Sequence, residues 1–96
     1  MNHNNILSVV TLTFNNYREL LKTINSLKGV DSVESVIVNG GSCIKTKDFL
    51  EKNNQYISIS ESDYGISDAF NKGIKLSSGK YITFLNSGDI VIDRGY

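Results

Sequence analysis

The segment Leu7-Ser-Val-Val-Thr-Leu-Thr13 is β-branched and mostly apolar at both parities, which predicts a strand covered on both faces. Asn16, followed three residues later by Glu19, reads as a helix N-cap with its capping-box partner. Leu20, Leu21, Ile24 and Leu27 then fall on one helical face, and Gly29 supplies a stop. Val33 to Val38 is a second apolar strand, ending in the turn signal Asn39-Gly40-Gly41-Ser42. Lys45 to Asn53 predicts a weaker helix with Phe49 and Leu50 as its apolar contacts. Tyr56 to Ser60 alternates apolar residues with serine, a short third strand. A polar loop from Glu61 to Gly65 leads to a helical stripe of Ile66, Ala69, Phe70, Gly73 and Ile74, closed by Gly79. Tyr81 to Leu85 is a fourth strand, and Asn86 to Asp93 begins as a loop. No internal repeat or low-complexity segment interrupts this pattern.

The order β-α-β-α-β-α-β predicts an α/β fold, a parallel sheet with helices on both faces. In such sheets ligands sit beyond the carboxyl ends of the strands, where the strand order reverses. The rule points to Thr13-Phe14-Asn15 after the first strand, Asn39 after the second, Glu61 and Asp63 after the third, and Asn86 to Asp89 after the fourth. Phe14 is the aromatic residue at that edge. Tyr17, Phe70, Tyr81 and Phe84 read as core.

Composition narrows the function classes. With 96 residues the chain is one domain at most. Ten Lys and Arg balance ten Asp and Glu, which weighs against nucleic acid as a partner, because phosphate neutralisation dominates that affinity. One cysteine, Cys43, excludes an intrachain disulfide framework and a Cys-based zinc site. The one histidine, His3, is terminal, so no Ser-His-Asp set is inferable. No apolar run is long enough to span a membrane, and the first residues lack the pattern of a signal peptide. A cytoplasmic chain is expected, at most peripheral to the inner face of the membrane.

Individual constellations are ambiguous alone. Gly40-Gly41 lets a backbone approach a phosphate, but neither G-x-G-x-x-G nor a G-x-x-x-x-G-K-[ST] loop is present, and a simple turn explains the pair. Asp89 is a solvated loop carboxylate or the one acidic ligand of an oxygen-rich magnesium or manganese site. Asp68 suits a helix N-terminus whatever its function, and Lys72 reads as a solvated helix charge.

Together four stretches resemble the N-terminal part of family 2 glycosyltransferases of the GT-A fold. They are Ser8-Val-Val-Thr-Leu-Thr-Phe-Asn-Asn16, Val36-Ile-Val-Asn-Gly-Gly-Ser42, the run from Ile59 to Ile74 containing Asp63-Tyr-Gly-Ile-Ser-Asp-Ala-Phe-Asn71, and Ser78-Gly-Lys-Tyr-Ile-Thr-Phe-Leu-Asn-Ser-Gly-Asp89. The similarity is greatest to the branch that builds bacterial exopolysaccharide and lipopolysaccharide sugars. It implies a Rossmann-like sheet in order 3-2-1-4 within residues 1–96, a single partial GT-A domain forming the nucleotide-sugar-binding half. It also implies a nucleoside-diphosphate sugar donor beside Thr13, Asn15, Asn39, Asp63, Asp68 and Asn71. Asn39 stands where most members carry an aspartate that contacts the base. Asp89 matches the last acidic position of the loop that holds a divalent cation, magnesium or manganese. Asn86 and Gly88 replace acidic residues there, so weak metal binding is expected.

The family chemistry is inverting sugar transfer to an acceptor hydroxyl by single displacement. The acceptor half and the catalytic base would lie beyond Tyr96, so no catalytic residue is assigned and the isolated chain is expected to be inactive. The rival expectation is a non-catalytic nucleotide-binding or interaction domain, a remnant of the same fold. An open edge after the fourth strand, with Val91 and Ile92 nearby, predicts self-association.

Overall fold

The computed structural model describes residues 7–28, 30, 33–62 and 65–88. Its elements run β1 (Leu7–Thr13), α1 (Tyr17–Leu27), β2 (Val33–Asn39), α2 (Ile44–Lys52), β3 (Ile57–Ser60), α3 (Ile66–Leu76) and β4 (Tyr81–Asn86). The four strands form one parallel sheet in order β3-β2-β1-β4, as the family resemblance implies. Asp63, Asp89, Val91 and Ile92 lie outside the described residues.

Register explains how the two faces are filled. Side chains alternate across a strand, so Val10 of β1 shares a face with Val36 and Val38 of β2. These three form one core cluster with Ala69 of α3. On the other face Ile37 packs with Leu20 and Ile24 of α1 and Leu50 of α2. The result is three layers, α3 on one side and α1 with α2 on the other. Val10, Val36, Ile37 and Leu20 are fully buried, each worth roughly 1.5–3 kcal/mol relative to exposure. Phe49 closes the α2 rim, edge-on to Tyr17 and stacked on Tyr56, both at 6.0 Å between ring centroids.

Several local details depart from the sequence expectation. The Asn16 side chain makes no cap bond to α1. Its Oδ1 instead accepts from Thr13 Oγ1 at 2.7 Å and from the Phe14 N–H at 3.2 Å. Glu19 pairs with Lys22 at 3.4 Å. Thr23 belongs to the buried stripe of α1. Its hydroxyl donates to the Glu19 carbonyl four residues back, at 3.3 Å, so a polar letter occupies a buried position at little cost. Ile74 is 47% exposed and Tyr81 67% exposed; Tyr81 begins β4, which among the described residues pairs with β1 alone.

Glu34 fastens the amino ends of three strands. Its Oε1 accepts from Ser8 Oγ and from the Ser78 N–H, both at 2.8 Å, and Oε2 accepts from the Ser78 hydroxyl. Ser8 Oγ in turn accepts from the Gly79 N–H at 2.8 Å. Burial pushes the Glu34 carboxyl up, but the hydrogen bonds from Ser78 and Ser8 outweigh it, and the group sits below its ordinary value.

Candidate functional site

The connection from β1 leads through α1 to β2 on one side, while β4 arrives on the other side of β1. The strand order therefore reverses between β1 and β4, and splayed loops leave a crevice at such a point. A cleft of about 280 Å³ lies there, lined by Leu12, Thr13, Phe14, Asn16, Gly65, Ala69, Asn86 and Ser87. Its floor is the end of β1 and its walls are the β1–α1 loop, the start of α3 and the end of β4. A larger hollow of about 410 Å³ lies at the opposite end of the sheet, among Leu27, Val30, Val33, Glu34, Gln55 and Ile57. It faces the amino ends of β2 and β3. The smaller cleft is the better candidate because topology, and not surface irregularity, creates it.

The loops around the cleft are bound to one another. Asn15, at φ 52°, uses its Oδ1 to accept from the Ser42 N–H at 2.8 Å. A Cβ on Gly41 would stand 2.7 Å from the Asn15 backbone nitrogen, so only glycine lets the β1–α1 and β2–α2 loops come this close. Gly40 N–H donates to the Thr13 carbonyl at 3.0 Å. Ser87 N–H donates to the Leu12 carbonyl at 3.0 Å. Gly88 N–H reaches the Glu19 carbonyl at 3.1 Å and Thr23 Oγ1 at 3.0 Å. The loop after β4 is thus pinned to α1 as it leaves the sheet.

The residues singled out from sequence distribute unevenly over this frame. Thr13 lines the cleft, 4% exposed. Asn15 braces the adjoining loops. Asn39 is 1% exposed; its Oδ1 accepts from the Gly41 N–H at 3.1 Å and its amide donates to Ser60 Oγ at 3.3 Å. Its amide shapes the turn from below. Asp68 pairs with Lys72 at 3.3 Å, and the same ammonium reaches Glu61 at 3.1 Å and the Ser62 carbonyl at 2.8 Å. Lys72 is therefore a clasp between α3 and the end of β3, where the sequence suggested a solvated charge. Asn71 is exposed on α3. Asp63 and Asp89 cannot be placed on the frame, being outside the described residues.

Asn16, Asn86 and Ser87 line the cleft without having been singled out as donor ligands. The signal for them was available: each stands at the carboxyl end of one of the two strands that flank the switch point. Phe14, kept as the aromatic at the ligand edge, lines the cleft and is 68% exposed, an unusual exposure for so large an apolar ring. Among the described residues no three His, Cys, Asp or Glu side chains come together as a metal cluster. No helix among them is long and apolar enough to cross a membrane.

This combination defines a doubly wound α/β domain with a cleft at its topological switch point. Residues 8–94 match the profile of Glycosyl transferase family 2, and the chain belongs to that family. The chain is 28% identical to EpsH of Bacillus subtilis over 89 residues, 86% of this chain and 26% of EpsH. It is 30% identical to the glycosyltransferase GlyA of Streptococcus pneumoniae over 89 residues, 86% of this chain and 13% of GlyA. An uncharacterized glycosyltransferase of Mycobacterium tuberculosis is 34% identical over 88 residues, again 86% of this chain and 34% of that protein. Among solved structures, TarS residues 1–349 of S. aureus superimposes with a TM-score of 0.72 at 24% identity, covering 88% of this chain and 28% of that one. That likeness concerns the fold, the GT-A arrangement of the sheet. The chain thus spans about a third or less of the length of these relatives.

Proposed function

We propose that this chain is the donor-binding part of a glycosyltransferase and that its cleft between β1 and β4 receives the nucleoside diphosphate of a nucleotide sugar. The observation that carries the reading is the cleft itself, at the switch point of a family 2 domain, with Thr13, Asn16, Asn86 and Ser87 as polar groups and Phe14 as an exposed ring. A planar base suits the Phe14 face, and hydroxyls of the ribose suit the neutral amides and Thr13. Asn39 acts from beneath, holding the Gly41 amide in place. Asn15 sets the separation of the two loops. Asp63, Asp68 and Asn71 remain proposed donor contacts. The polysaccharide role implied by the resemblance belongs to the same proposal.

The proposed cation is magnesium or manganese. The described donors at the end of β4 are neutral oxygens, those of Asn86 and Ser87. The first carboxylate after β4 in the sequence is Asp89. That donor set fits a hard cation held mainly by the donor's diphosphate and by one carboxylate. When bound, the ion neutralises charge on the departing diphosphate. The chain's own contribution is to bind and orient the nucleotide so that the anomeric carbon faces an acceptor. In the transfer the acceptor oxygen forms the new bond to that carbon as its bond to the diphosphate breaks.

Calorimetric titration of the 96-residue chain with uridine and guanosine diphosphates, each with manganese or with chelator, tests the reading. Binding is expected to be weak and strengthened by the metal, and Asp89→Asn should remove most of that strengthening. No heat with either nucleotide at millimolar concentration would overturn donor binding and leave the non-catalytic remnant.

A further inference from the structure

We infer that Thr23, a buried residue of α1, is a positioning residue for the β4 wall of the cleft. The inference rests on the reading of that cleft as the nucleotide site. Thr23 is fully buried in the stripe it forms with Leu20, Ile24 and Leu27, and it lies outside the cleft lining.

A valine would fill this position with the same branched shape. The hydroxyl brings no gain to α1 itself. Bonding back to the carbonyl four residues earlier, as it does to Glu19 at 3.3 Å, slightly destabilises and bends a helix. Its use lies outside the helix. A hydroxyl has one proton and two lone pairs. The proton goes to the Glu19 carbonyl, and the oxygen accepts from the Gly88 N–H at 3.0 Å. The same N–H reaches the Glu19 carbonyl at 3.1 Å. One amide just after β4 is thus held by two acceptors on a single turn of α1.

Those bonds fix the cleft wall. Asn86 and Ser87 line the cleft from the end of β4. The Ser87 N–H donates to the Leu12 carbonyl at 3.0 Å, and its hydroxyl donates to the same oxygen at 3.3 Å. Ser87 is therefore tied to the cleft floor and Gly88 to α1. Gly88 turns the chain between these two anchors at φ 103°, a conformation that glycine adopts at no steric cost. Space is not the constraint, because a Cβ there would stand 3.6 Å from Glu19 Cβ. A ligand binds with an affinity scaled by the fraction of molecules whose wall is already in place. Without the Thr23 acceptor that fraction falls, and affinity falls with it.

The test is calorimetric titration of the whole chain with uridine and guanosine diphosphates in magnesium, with Tm and Gly88 amide exchange measured on the same proteins. Thr23→Val should keep or raise Tm, exchange the Gly88 amide faster, and bind nucleotide about threefold to tenfold more weakly, the equilibrium worth of one hydrogen bond. Thr23→Ser keeps the oxygen and loses a buried methyl, so it should lower Tm yet bind like wild type. A merely structural role would make affinity follow Tm across the two variants. That result, or equal binding by wild type and Thr23→Val, would overturn the inference and leave the donor reading standing. A wild type that binds neither nucleotide would overturn the donor reading and the inference with it. If Thr23→Val does not fold, Gly88→Ala decides: it strains the same turn through its φ, and undiminished binding would overturn the inference.

Discussion

Gly73→Ala should destabilise this domain although alanine is the better helix former. Gly73 is buried in α3 directly above β1. A Cβ there would collide with Cγ1 of Val10 and stand 3.2 Å from Cγ2 and 3.3 Å from Cβ. Val10 is fully buried on a central strand, and its branched side chain has one comfortable rotamer to offer, so it cannot give way cheaply. Alanine gains about 1 kcal/mol of helix propensity, against an overpacking cost near the top of the usual range, about 3 kcal/mol. The expected net loss is about 2 kcal/mol, or roughly 8–16 °C in Tm for a domain of this size. Val10→Ala alone should cost about 2 kcal/mol through lost burial and a small cavity. The double variant should be less destabilised than the sum of the singles by about 1–2 kcal/mol, since each change accommodates the other. Urea denaturation of the four proteins measures this coupling. A stabilised Gly73→Ala, or strict additivity, would refute the close approach of α3 to β1.

Two other outcomes follow from buried polar groups. Thr11 is fully buried and its Oγ1 has no hydrogen-bond partner among the described residues, so Thr11→Val should raise stability by about 1 kcal/mol in the same assay. Glu34 has a folded pKa below its ordinary value. A depressed carboxylate contributes stability that is present above its unfolded pKa and is lost as pH falls through the folded one. Stability should therefore decline below about pH 4.5. Glu34→Gln should be less stable at neutral pH and should flatten that acid limb, as measured by Tm against pH.

The fold was legible where burial and local pattern agree. β1 is mostly apolar, β-branched at Val9, Val10, Thr11 and Thr13, and buried at most positions, so its limits, Leu7 and Thr13, follow from the letters alone. The stripe of α1 was legible through Leu20, Ile24 and Leu27. Thr23 was not, because its hydroxyl bonds to its own helix and lets it sit inside. Tyr81 and Ile74 read as core and are exposed, since hydrophobicity alone does not tell which positions of an element its neighbours cover. For the site, the switch-point rule located the strand ends correctly, and Thr13 and Phe14 line the cleft. What letters cannot supply is where a side chain turns. Asn39 looks outward in the sequence pattern, yet its amide is held beneath the loop by Gly41 and Ser60. Asn16 looks like a cap and bends back to Thr13. Glu34 joins strands far apart in sequence, Lys72 ties α3 back to the end of β3, and no local periodicity signals either clasp.

The account's central claim is that a nucleoside diphosphate occupies the cleft between β1 and β4. The most direct test is a two-dimensional amide NMR titration of the chain with uridine or guanosine diphosphate in the presence of magnesium. The account predicts saturable shifts concentrated at Thr13, Phe14, Gly65 and Ser87, with the amides of Val30, Ser35 and Gln55 at the opposite end of the sheet unmoved. Shifts concentrated at those three amides, or none at either end with both nucleotides, would contradict it.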